Sequence, residues 1–175
     1  MVEPTWKRIA GVHVDDDGTV GAVWVAADPV TKITHVYDAA VFRNEVPVVI
    51  HDAIAARGRH YPVAWAKKQK SFADKLLDAG VRVLPEPCED DPMTRELLAK
   101  QIWQLMRGKL FFVDRRVGEW MREYKEYFRE GGKVPEIGFP LMAATRHAIE
   151  KIEYARAERE ISTRPKQNYP KLAIV

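Results

Sequence analysis

The chain has 175 residues, 46% hydrophobic and 30% charged, with 28 Lys and Arg against 25 Asp and Glu for a net charge of +3. That length supports one domain with a sizeable core, or one domain and a tail, and so mild a charge permits a nucleic-acid partner without demanding one. The single cysteine, Cys88, excludes an internal disulfide framework and suits a reducing compartment, while the longest apolar runs, such as 20–27, fall far short of a membrane span, so no membrane partner is expected.

The first third reads as strands. WKRIAGVHV (6–14) is β-rich and ends in the turn DDDG. TVGAVWVAAD (19–28) follows at hairpin distance, and KITHVYDAAVF (32–42) alternates after the turn DPVTK. These three make an antiparallel meander. EVPVVIHDAIAARG (45–58) is then a helix stopped by Gly58. The pattern changes to strand–helix alternation: PVAWA (62–66), helix 71–80, VRVLPE (81–86), the amphipathic helix 93–108, and KLFFV (109–113). Helix 118–132 is closed by two glycines, and a long final helix is expected over 139–160. Residues 161–175 hold two prolines and no periodicity, so they are set apart as a tail to a domain of 1–160. This order is that of an α/β, RNase H-like domain. Such a domain has a mixed five-stranded sheet, an antiparallel meander plus parallel strands, with helices on both faces.

Several residues invite a chemical reading. Asp15, Asp16 and Asp17 form an acid cluster that also makes an ordinary turn. EPCEDDP (86–92) follows a strand end, and its acids suit the dipole of the helix that begins near Met93. The run 57–70 carries Arg57, Arg59, Lys67, Lys68 and Lys70 with no acid inside it, so it is either a solvated face or a phosphate-binding one. Arg146 on the last helix either reaches a phosphate or pairs with Glu150 four residues on. Trp24, Trp103 and Trp120 fall on apolar faces and are expected in the core. His35, His51 and His60 lack paired ligand spacing, and Cys88 lacks a second cysteine. No GxxxxGK[ST] occurs, so no ATPase activity is expected of these residues. The stretch FPLMAATRHA (139–148) starts a helix with Phe-Pro. Pro140 fits the first helical position, but Phe139 offers no capping oxygen.

At the level of whole segments the chain resembles the C-terminal nuclease domain of the large terminase subunit of tailed phages, in the headful-packaging branch. The pieces GVHVDDDGTVGAVWVAAD, ITHVYDAAVFR, PVAWAKKQ, AGVRVLPEP, LMRGKLFFV, EWMREYKEYFREGGKVPE and LMAATRHA run in the family's order over about residues 6–155. The resemblance implies a two-metal nuclease with carboxylates from the first strand, the end of the fourth strand and the start of the last helix. Those positions hold His13, the stretch Ala66 to Lys68, and Phe139-Pro140. Phe and Pro cannot ligate a metal, and a lysine repels Mg²⁺ while standing in for its charge.

The first expectation is therefore a catalytically degenerate domain of phage or prophage origin, in the cytoplasm of a bacterial host cell, with no cofactor. It would act by binding double-stranded DNA or packaging proteins (portal, small terminase or terminase ATPase), with Arg57, Arg59, Lys67, Lys68, Lys70 and Arg146 as the DNA candidates. A second reading is an active endonuclease using Mg²⁺ or Mn²⁺, with its site rebuilt around His13, Asp15 and an acid between Glu86 and Asp91. A third is a regulatory module that binds protein and not DNA.

Overall fold

The meander forms as the alternation predicts: β1 (Lys7–Val14), β2 (Val20–Ala27) and β3 (Thr34–Phe42) are antiparallel neighbours in the computed structural model, which describes residues 2–58 and 60–158. Arg59 and the expected tail at 161–175 lie outside the described residues. The chain continues through α1 (Pro47–Ala56), β4 (Val63–Ala64), α2 (Lys70–Asp78), α3 (Pro92–Arg107) and β5 (Phe111–Val113). It ends in α4 (Gly118–Glu126), α5 (Pro140–Glu150) and β6 (Arg156–Ala157). Among the described residues the sheet has six strands in the order β4-β1-β2-β3-β5. β4 and β5 are parallel to their neighbours, and β6 pairs with the start of β1. The fold is the expected mixed sheet with helices on both faces.

Period-two alternation sorts the layers. Ala10, Val12, Ala22 and Trp24 face α1 and α2 through Ile50, Ile54, Ala73 and Leu76. Ile9, Val23, Val25 and Val36 face the other way, toward α5, Phe111 and Trp120. Three elements differ from the sequence reading. The strand expected at 81–86 reduces to a bridge between Val83 and Val63, because Pro85 and Pro87 have no N–H for a ladder. It still runs beside β4 through Leu84 N–H to Val63 O (2.9 Å) and Cys88 N–H to Trp65 O (2.7 Å). The last helix stops at Glu150 instead of running to 160, although no Gly or Pro ends it; a 3-10 turn (Ile152–Tyr154) then delivers Arg156 and Ala157 to pair with β1. Helix α4 likewise ends at Glu126, where Tyr127 turns in against Phe139 and Arg146. Trp24 and Trp120 are core residues, but Trp103 is 51% exposed, with the Arg107 guanidinium over its ring at 4.8 Å.

Helix α5 is buried on every side from Pro140 to Ile149. Its small residues Ala143, Ala144 and Ala148 let its backbone approach the sheet at two glycines. A Cβ on Gly11 would lie 1.9 Å from the Ala144 carbonyl oxygen, and one on Gly21 would lie 2.5 Å from the Pro140 carbonyl carbon. Backbone cannot yield there as a flexible side chain would. Gly11→Ala is expected to cost about 3 kcal/mol in urea unfolding. Gly118→Ala, which meets open space, is expected to be near neutral and serves as the control.

Candidate functional site

Strand alternation continues past Gly11 to place His13 on the α5 face, directly opposite Gly21. On α5, His147 follows Ala144 by three residues and lies on the same buried stripe. The two imidazoles meet with ring centroids 5.4 Å apart. The loop before α3 supplies a third group. Its two adjacent acids divide the work: Asp91 caps α3, accepting from Met93 N–H (2.9 Å) and Thr94 N–H (3.1 Å), while Asp90 turns inward with its side chain 6% exposed. One ligand atom from each of His13, Asp90 and His147 lies within 4.8 Å of the others.

The tautomer of His147 is set by Val12. Its Nδ1 lies 2.9 Å from the Val12 carbonyl oxygen, which can only accept, so Nδ1 carries the hydrogen. Nε2 is left buried with no hydrogen-bond partner among the described residues, 4.0 Å from Asp90 Oδ1. His13 Nδ1 lies 3.2 Å from the Gln69 amide nitrogen, which also donates to Val14 O at 2.8 Å. Burial, and then the neighbouring His147, hold His13 down to about 3, so it is neutral across the physiological range.

Asp90 is ringed by cations. Lys68 Nζ is 3.3 Å from Oδ2, Arg95 Nε is 3.5 Å from Oδ1, and Arg146 Nη2 is 3.9 Å from Oδ1. Burial works against its charge, but the charges of Arg146 and Lys68 hold the carboxyl well below the usual range. Glu136 shares the load, meeting Arg95 at 3.2 Å and Lys68 at 3.5 Å.

A separate acidic cleft lies at the start of α5. Phe139 indeed makes no side-chain cap. The cap comes from α4, where Glu123 Oε1 accepts from Met142 N–H at 2.7 Å. Asp15 accepts from Gly138 N–H at 2.6 Å, just before the helix. So Asp15 lies on the same strand face as His13, yet its carboxylate serves the loop ahead of α5 and stands outside the His13–Asp90–His147 group. Sequence reasoning missed Glu123, although a helix beginning Phe-Pro signals a cap supplied from elsewhere. It also gave His147 no role. The available signal was a histidine on a stripe otherwise made of alanines.

The other basic candidates divide by exposure. Arg57 lies over the Trp24 ring (4.7 Å) and pairs with Asp38 (2.6 Å), so it is committed to the fold. Arg146 is 3% exposed and donates to Tyr127 OH at 2.6 Å; it neither pairs with Glu150 nor faces solvent. Lys67 and Lys70 are exposed; Lys67 has a loose partner in Glu89 (3.8 Å), and Lys70 donates to both oxygens of Asp74 (3.0 and 2.9 Å). The run without acids in sequence is thus met in space by acids from β3, α2 and the loop before α3. Ala66 pairs with Cys88 and contributes no functional group, and Pro140 packs over Gly21.

No family model and no curated protein matches this sequence. Solved structures do match. The P22 large terminase nuclease domain superposes with a TM-score of 0.84 at 17% identity, covering 92% of this chain and 89% of that one. This chain has the fold of a phage large terminase nuclease domain. The nuclease domain of the bacteriophage SPP1 large terminase, solved with bound manganese, gives 0.67 at 16% identity over 83% and 86% of the two chains. The large terminase nuclease of the thermophilic phage G20c, solved with bound zinc, gives 0.61 at 14% over 86% and 84%. No helix among the described residues is long and apolar enough to cross a membrane.

The terminase-nuclease fold raises the question of two hard metal ions, which take several carboxylate oxygens. Asp90 is the only carboxylate in the His13–Asp90–His147 group, and Lys68, Arg95 and Arg146 already surround it. These residues do not fit a pair of Mg²⁺ or Mn²⁺ ions.

Glu123 yields a pH prediction. Burial pushes its carboxyl from 4.5 up to about 7, against the Met142 and Leu141 N–H groups, and the Asp15 charge adds to the rise. The folded chain therefore keeps a proton that the unfolded chain releases near 4.5. Stability from this group falls as pH climbs from there to about 7, then levels off. His13 opposes it, because the unfolded chain takes up a proton below 6.5 that the fold refuses down to about 3. The difference between wild type and Glu123→Gln isolates the first effect. Urea unfolding from pH 4.5 to 8 is expected to show wild type losing stability relative to the variant as pH rises.

Proposed function

We propose that this is a nuclease-like domain of a DNA-packaging system that does not cut DNA by two-metal hydrolysis and works by binding DNA or packaging proteins. The carrying observation is Lys68, whose ammonium sits 3.3 Å from the one carboxylate in the group. A cation of the chain itself there takes over the electrostatic role of a metal without supplying an activated water or a Lewis acid. Two resemblances support the setting: the fold shared with phage large terminase nuclease domains, and the ordered segment likeness across the chain.

For DNA, the residues available are Lys67 and Lys70. Exposed ion pairs such as Lys70–Asp74 exchange readily for phosphate contacts, since each is worth little. Purified protein is expected to leave supercoiled plasmid intact with Mg²⁺, with Mn²⁺ and with EDTA. Metal-dependent nicking that disappears in Asp90→Asn would overturn the reading. Lys67→Glu with Lys70→Glu is expected to weaken duplex binding and to reduce the slope of log affinity against log salt by about 2.

A second reading, protein binding without DNA affinity, is favoured by one feature. An apolar groove of about 530 Å³ between α3 and α4 is lined by Leu97, Ile102, Trp103, Met106, Tyr124 and Phe128, of which Leu97, Trp103, Tyr124 and Phe128 are exposed. Absence of duplex binding at moderate salt, in wild type and variant alike, selects this reading.

A further inference from the structure

We infer that His13, Asp90 and His147 form a binding site for one borderline transition-metal ion of the zinc class, for which Lys68 competes. The donor set carries the class. Two imidazoles and one carboxylate suit Zn²⁺, Co²⁺ or Ni²⁺, whereas Mg²⁺ requires an octahedron of oxygens. All three ligand atoms fall within 4.8 Å of one another, close enough for a common ion after small side-chain adjustments.

Two features of His147 point to a cation, and a third bears on how His13 would ligate. His147 is 1% exposed, and its Nε2 lone pair is buried without a partner and aimed toward a carboxylate oxygen at 4.0 Å. Two acceptors facing each other across that distance are reconciled by a positive ion between them. Next, Val12 O already fixes the hydrogen on His147 Nδ1, which is the backing a metal-bound imidazole uses. Finally, Gln69 Oε1 is also buried without a partner among the described residues. For His13 to ligate through Nε2, its Nδ1 must carry the hydrogen and Oε1 must turn to accept it, which gives up the Val14 bond and requires the amide to shift away from the Val14 carbonyl.

The cations around Asp90 set the cost. Lys68 is the nearest and the most readily moved. Its side chain is 43% exposed, and Glu136 stands 3.5 Å away as an alternative partner. Arg95 keeps Glu136, and Arg146 keeps Tyr127 OH, when Asp90 turns to a metal. Lys68 and the ion therefore exclude one another at Asp90. A bound ion ties β1, the loop before α3 and α5 together.

The test is isothermal titration of EDTA-stripped full chain with Zn²⁺, repeated with Co²⁺ to read the ligand field from its visible absorption, and with Mg²⁺. Expected are one Zn²⁺ per chain, a Co²⁺ spectrum displaced by Zn²⁺, and no Mg²⁺ binding. Lys68→Ala is expected to tighten Zn²⁺ binding at least about tenfold by removing the competing charge. His147→Ala and Asp90→Asn are each expected to weaken it about a hundredfold. Lys68 is on the surface, so its variant tests the site even if His147→Ala fails to fold. The inference is overturned if neither wild type nor Lys68→Ala binds Zn²⁺, if Mg²⁺ binds as tightly, or if folded Asp90→Asn keeps full affinity. The inference does not rest on the non-cleaving function. Zinc binding without nicking leaves both standing, and zinc-dependent nicking removes that function while leaving the site.

Discussion

The structure depends on how closely α5 lies on the sheet. Gly11 and Gly21 remove two side chains, and the backbone of the last helix occupies the space. A helix seated that deeply is surrounded by protein on all sides and cannot satisfy its first N–H groups with water. Pro140 removes one such group, and Glu123 reaches across from α4 to accept another. The Phe-Pro start is therefore compatible with a buried helix because the cap is tertiary. The same seating carries His147 to the Val12 carbonyl and beside His13.

The chemistry at that junction follows from scarcity of negative charge. One buried carboxylate, Asp90, faces three basic side chains and two imidazoles, and Glu136 brings partial compensation from the loop before α5. A centre of this kind organises cations supplied by the chain itself. The acidic cleft a short way off, with Asp15 and Glu123, is spent on holding the start of α5. The acidic groups near the helix start thus act as capping and loop-binding groups.

Much of the fold was legible locally. The meander follows from period-two alternation and DDDG- and DPVTK-type turns, and α3 from its apolar spacing and the acids ahead of it. The misreadings share one cause. The strand at 81–86, the end of α5 and the exposure of Trp103 are decided by what lies alongside, which periodicity does not encode. The basic run 57–70 carries the same lesson for charge. It has no acid within it, yet Asp38, Glu89, Asp90 and Asp74 meet its members in space.

By itself the sequence determined the three-strand meander, the succession of the five helices and the absence of carboxylates at His13, Ala66 to Lys68 and Phe139-Pro140. Those are properties of residue type and local spacing. Only the tertiary structure decided that Asp90 and not Asp91 turns inward, that His147 joins His13, that Lys68 neutralises Asp90, and that Glu123 caps α5. Each is a contact between residues far apart in the chain, and its geometry exists only once α5 has settled onto Gly11 and Gly21.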